Sequence, residues 1–177
     1  MNDVLAIAMT PFALIAGTLV GSRRLRLDRR TGLGLQLPSV KDTVLLSTAF
    51  LVLLVLAEAM YSAAGSGAQS DWRAKYGPGA LALRVVFASA IYPIAEELFF
   101  RGLLLGAITR RAGPIVATLA TAALFTALHS LGGSWLGALQ IFVDGVFFAY
   151  VRLRSGSLLL PVVLHVVGNC FAVMQRL

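Results

Sequence analysis

Six apolar runs, at about 4–20, 43–64, 81–109, 114–129, 135–151 and 158–174, take up most of the 177 residues and leave only short connections. A helix that crosses the hydrocarbon core of a bilayer needs about 20 mostly apolar residues at about 1.5 Å of rise each, so six of them use about 120 residues. No room remains for a separate soluble domain. Composition agrees, since 58% of the residues are hydrophobic and 13% charged, where soluble domains carry about 25% charged residues. The sequence predicts an all-α membrane protein, a bundle of about six transmembrane helices. The third run is longer than one span needs and contains Pro93, so it is expected to tilt or kink.

The net charge of +7 comes from 15 basic and 8 acidic residues, and ten of the basic ones sit in alternate connections. Arg23, Arg24, Arg26, Arg29, Arg30 and Lys41 lie between runs one and two, Arg110 and Arg111 between three and four, Arg152 and Arg154 between five and six. All three connections fall on one side, which the positive-inside rule places in the cytoplasm, with both termini outside it. The same clustering reads as topology and not as a nucleic-acid footprint, so no nucleic acid is expected as a partner. The opposite side receives the connection 65–78, with Arg73 and Lys75, the short turn 130–134, and Arg176 at the C-terminus. Residues 31–40 read as a Gly- and Pro-punctuated linker at the headgroups. The start of the chain lacks a basic n-region and is expected to be a retained first span. The Ala-, Gly- and Arg-rich composition points to a bacterial inner membrane. Cys170 is the one cysteine, which excludes an internal disulfide and a multi-cysteine zinc site.

An ionisable group near the bilayer centre costs about 2.5 to 3.5 kcal/mol on insertion scales, so such groups are rare unless paired or functional. Here they are Glu96, Glu97 and Arg101 on the third run, His129 on the fourth, Asp144 on the fifth, and His165 with the amide Asn169 on the sixth. Glu97 and Arg101 are four apart on one helix face, in the favourable order for a pair. Glu96 is turned about 100° away, with Tyr92 one turn before it, and has no partner on its own helix. Desolvation of such a carboxylate favours holding a proton and suits a general base. His165 and Asn169 share one stripe and can donate hydrogen bonds to a developing oxyanion. His129, four residues after Phe125, could orient water or share a proton with Glu96. Asp144, one turn after Gln140, is expected to support the site from the fifth helix.

Nucleophile chemistry fits less well. Cys170 lies about 140° around the helix from His165, and no strained GxSxG elbow is present. A proton-coupled carrier would also use buried Glu, His and Asp, but the repeats of such carriers are absent. A catalytically silent scaffold or immunity protein is the third class, distinguished by whether loss of Glu96 or His165 matters.

The spacings Glu96-Glu97-x-x-x-Arg101, Phe125-x-x-x-His129 and His165-x-x-x-Asn169, in that order and on separate apolar segments, resemble the three motifs of the CPBP family. This is the group of type II CAAX prenyl endopeptidases, also labelled the abortive-infection family. The resemblance implies an intramembrane glutamic endopeptidase that cuts a peptide bond near the C-terminal tail of a membrane-anchored or lipidated protein. Glu96 and His129 would activate water, His165 and Asn169 would hold the oxyanion, and Glu97 and Arg101 would be support, with Tyr92 and Asp144 beside them. Residues 1–78 would supply two N-terminal helices and 79–177 the four-helix catalytic core, within one compact domain. No cofactor is favoured. The alternative is zinc held by Glu96, His129 and His165, a known type of ligand set, although Asn169 is a poor zinc ligand and a ligating Glu96 would leave no base. On this topology the site lies central to outward in the membrane.

Overall fold

The computed structural model describes residues 2–65, 70–129 and 134–177, the first seven of them by backbone alone. Helices α1 (Asn2–Arg24) and α2 (Val40–Ala63) precede the single turn α3 (Trp72–Lys75). Then α4 (Pro78–Val86), a π-helical stretch π1 (Phe87–Ile91), α5 (Tyr92–Glu97) and a second one, π2 (Leu98–Leu104), run directly into α6 (Leu105–His129). Helices α7 (Trp135–Ser155) and α8 (Leu159–Met174) complete the chain. No strand occurs among the described residues. Three helical runs, Val40–Ala63, Pro78–His129 and Trp135–Ser155, are long and apolar enough to cross a membrane, and α8 is a shorter apolar helix. The chain is therefore an all-α membrane protein.

The 52-residue run Pro78–His129 is two antiparallel arms. Gly113, at φ 83 and ψ 169, breaks the helical backbone inside α6. Pro114 follows it, and proline disfavours helical geometry in the preceding residue while suiting the first turn of a new helix. Phe100 then stacks edge-on to Phe125 with centroids 5.1 Å apart, and Glu96 meets His129 at 3.4 Å. These pairs are symmetric about Gly113, so the third and fourth predicted runs form a hairpin that turns there. A Cβ at Gly113 would meet nothing within 4 Å, which leaves backbone strain as its only penalty. Gly113→Ala should therefore cost about 1–3 kcal/mol, read as a lower thermal midpoint in detergent; an unchanged midpoint would mean that the turn tolerates a side chain.

Small residues let the helices approach. A Cβ on Gly21 would come within 2.8 Å of Leu103, and one on Gly17 within 3.6 Å of Phe99, so a Gly-x-x-x-Gly face seats α1 on π2. Gly145 of α7 lies so close to α6 that a Cβ would stand 3.1 Å from Ala122 Cα. Between α2, α7 and α8 the core holds Leu46, Phe50, Phe148, Val151, Leu160 and Leu164. The outward face of α2 is apolar instead, with Leu51, Val52, Val55 and Leu56 all more than half exposed. In water such a face would mark a binding or aggregation surface; against lipid it is the ordinary exterior.

The arginine-bearing connections do meet at one end. Arg110 Nη2 donates to Leu25 O at 2.8 Å, and Arg152 Nη2 to Thr31 O at 3.0 Å. The segment expected as a linker is in fact clasped onto the α7–α8 turn: Leu158 N–H donates to Gly34 O at 2.7 Å, Ser157 Oγ to Gln36 O at 2.6 Å and Gln36 Nε2 to Gly156 O at 3.0 Å. Asp28 ties the same loop. The Thr31 N–H and hydroxyl bonded to its carboxylate hold it below the usual carboxylate range against slight desolvation, with the Arg30 N–H helping. At the other end Trp72 N–H donates to Arg176 O at 2.8 Å. Of the two connections expected there, residues 66–69 and 130–133 lie outside the described residues.

Candidate active site

Three helical segments bring the predicted carboxylates and imidazoles together. Glu96 and Glu97 end α5, His129 ends α6 and His165 lies in the first half of α8. Glu97 and Arg101 are fully buried and pair as the spacing predicts, with Arg101 Nη1 donating to Glu97 Oε1 at 2.9 Å. Arg101 Nη2 reaches Gly145 O of α7 at 3.2 Å, and its guanidinium lies 4.7 Å from the Phe125 ring centroid. The pair is thus bonded through Glu97 Oε1 and both Nη atoms of Arg101 and packed on an aromatic ring, while Glu97 Oε2 and Arg101 Nε are buried without a hydrogen-bond partner among the described residues, and a buried charge is held only where such partners surround it.

Spacing could not show that Glu97 has a second partner, since His165 Nδ1 lies 2.9 Å from the same Oε1 across 68 residues of sequence. A carboxylate facing Arg101 only accepts, so Nδ1–H of His165 is the donor. His129 is oriented in the same way, its Nδ1–H donating to Phe125 O at 2.8 Å. Both histidines therefore present Nε2 to Glu96, His129 at 3.4 Å from Oε1 and His165 at 3.8 Å from Oε2. Glu96, expected to lack a partner because none is on its own helix, thus has two from other helices. A carboxylate and an imidazole Nε2 at such range attract only when a proton lies between them, on one or the other. The Glu96–His129 pair is built to share one.

Aromatic rings fix the imidazoles. His165 stacks on Phe148 with centroids 5.0 Å apart and planes 23° from parallel, and the His129 ring sits 4.2 Å from that of Phe125. His165 is buried, while the His129 side chain is 34% exposed, so the cluster opens on the His129 side. Asp144 accepts from Gln140 Nε2 at 2.9 Å, the one-turn pairing expected, and Tyr92 packs edge-on to Phe87 at 6.3 Å. Asn169 stands apart from the cluster in its bonding, its Nδ2 donating to Ala88 O of π1 at 2.9 Å. An apolar cavity of about 320 Å³ is lined by Leu35 and Leu37 of the loop before α2, Ile94 and Leu98, and Leu159 and Val162 at the start of α8.

His129 faces Oε1 of Glu96 and His165 faces Oε2. Among the described residues no group of three or more His, Cys, Asp or Glu side chains could hold a metal ion. The zinc alternative would draw on the same three side chains, Glu96, His129 and His165.

The fold and site define a helical membrane protein with a buried glutamate–histidine centre. The chain belongs to the Rce1-like family of type II CAAX prenyl endopeptidases, whose model matches residues 78–171, more than half of the chain and the whole of this site. A protein of Escherichia coli named "Uncharacterized 24.3 kDa protein" is 38% identical over 87 residues, 48% of this chain and 39% of that protein. "Putative membrane peptidase YdiL" of Bacillus subtilis is 26% identical over 98 residues, 55% of this chain and 39% of that protein. The matches thus span about two fifths of these curated relatives. No solved structure matches the chain.

Proposed function

We propose that the chain is an intramembrane endopeptidase in which Glu96 and His129 activate water. The observation that carries this is the convergence of Glu96, His129 and His165 from three helical segments onto one place that opens on the His129 side, braced by Glu97 and Arg101. The family and the printed name of the Bacillus subtilis relative support a peptidase. As the water oxygen adds to the scissile carbonyl carbon, Glu96 takes its proton. The Glu96–His129 pair then delivers a proton to the leaving nitrogen as the C–N bond breaks. His165, oriented by the bond of its Nδ1–H to Glu97, presents Nε2 to the tetrahedral oxyanion, to which a proton there would donate, with Asn169 assisting from the same stripe.

The substrate is an apolar stretch near the C-terminal tail of a membrane-anchored or lipidated protein, and the apolar cavity suits its side chains. The protein resides in a bacterial inner membrane, with both termini outside the cytoplasm and the site central to outward; a reporter at residue 70 that reads as cytoplasmic would reverse this orientation. The activity is tested by incubating proteoliposomes with lipidated and tail-anchored peptides and weighing the products. One internal cut by the wild type is expected, slowed about 100-fold or more in His165→Ala, since an oxyanion donor contributes that much. Failure to cut any such peptide, or full activity in His165→Ala, would contradict the proposal.

A further inference from the structure

A π-turn moves each backbone N–H from the carbonyl four residues back to the one five back, and at π1 this shift meets a proline. Tyr92 N–H, which in an α-helix would bond Ala88 O, donates to Phe87 O instead. The next donor for Ala88 O in the π register is residue 93, and Pro93 has no N–H. The Ala88 carbonyl is thereby stripped of both helical donors, inside a bundle where an unmet carbonyl is costly. Asn169 meets it from α8, with Nδ2 2.9 Å from Ala88 O. One turn before Asn169 on the same stripe is His165, whose bond to Glu97 demands that α8 sit at one height against α5.

We propose that π1 and Pro93 form a positioning element of the site: by leaving Ala88 O open they fix the Asn169 amide, and through it the seating of α8 against α5. Pro93 touches no reacting atom and acts through Asn169. For its kinetic readout this rests on the proteolytic reading above, whereas its stability readout does not.

The test is a double-mutant cycle with Pro93→Ala, Asn169→Ala and the pair, read by thermal midpoint and by cleavage kinetics. Pro93→Ala places a backbone N–H in register with Ala88 O, so it competes with Asn169 in the first background and replaces it in the second. With Asn169 present, Pro93→Ala is expected to lower kcat about tenfold while KM stays within about twofold, as misplacement of a site group does. In Asn169→Ala the same change should cause no further loss of kcat and should raise the midpoint relative to its effect in the first background, a coupling that independent sites lack. Additive midpoints, or a kcat insensitive to Pro93 with Asn169 present, would overturn the inference. Coupled midpoints in a wild type that cuts nothing would leave this inference standing and defeat the proposed function. Additive midpoints in an active enzyme would defeat this inference alone.

Discussion

Glu96→Gln should lower cleavage by about 10²- to 10⁴-fold, the usual worth of a general base, without unfolding the protein. The carboxamide has the shape of the carboxylate and keeps an acceptor for an imidazole N–H, so the contacts at 3.4 Å to His129 and 3.8 Å to His165 can persist. What it cannot do is take a proton from water. The loss should therefore fall on kcat, with KM little changed and the thermal midpoint within a few degrees of wild type. A Glu96→Gln protein that cleaves at the wild-type rate would remove Glu96 from the chemistry. A drop in midpoint as large as the drop in rate would make its role structural.

Arg101→Met should have the largest effect on stability. Arg101 and Glu97 are fully buried, and the guanidinium satisfies Glu97 Oε1 and Gly145 O while it packs on Phe125. Removing it leaves Glu97 buried with only His165 as partner, and breaking a buried pair from one side costs about 3–5 kcal/mol. That is a large share of the roughly 5–15 kcal/mol that holds a native protein together, so the variant is expected to accumulate poorly and melt early. Arg101→Lys should rescue only in part, because a point charge on a flexible stem cannot serve Glu97 and Gly145 at once from the Arg101 geometry. The pair Glu97→Gln with Arg101→Met should regain most of the lost stability, since no charge is left unpaired and the amide oxygen can still accept from His165. Arg101→Met melting with the wild type would contradict this account of the pair.

Much of this site was readable before the fold, for a definite reason. Glu97 and Arg101 sit one helical turn apart, as do His165 and Asn169, and charged groups stand out against apolar runs whose cost in lipid is high. Helical periodicity and hydropathy are local quantities, and the sequence states them directly. Bonds between helices are not local. The attachment of His165 to Glu97 and the approach of both histidines to Glu96 depend on the hairpin at Gly113 and on the height of α8, neither of which a spacing contains. The π register is hidden for a subtler reason. Pro93 suggested a kink, but where the displaced hydrogen bonds go depends on which donor on another helix can reach the freed carbonyl. The helix-packing role of Gly17 and Gly21 likewise appears only once π2 lies across α1, and the supposed linker 31–40 becomes a clasp once Arg152 and Ser157 face it.

Cleavage of a lipidated or tail-anchored peptide by the purified protein after exhaustive chelation, beside Glu96→Gln and His165→Ala of equal thermal midpoint, tests the central claim most directly. The glutamate–histidine mechanism predicts that chelated wild type keeps its rate while both variants lose theirs by about 100-fold or more. Activity abolished by the chelator and restored by zinc would contradict that mechanism by making Glu96, His129 and His165 metal ligands, and equal cleavage by all three proteins would contradict the site itself.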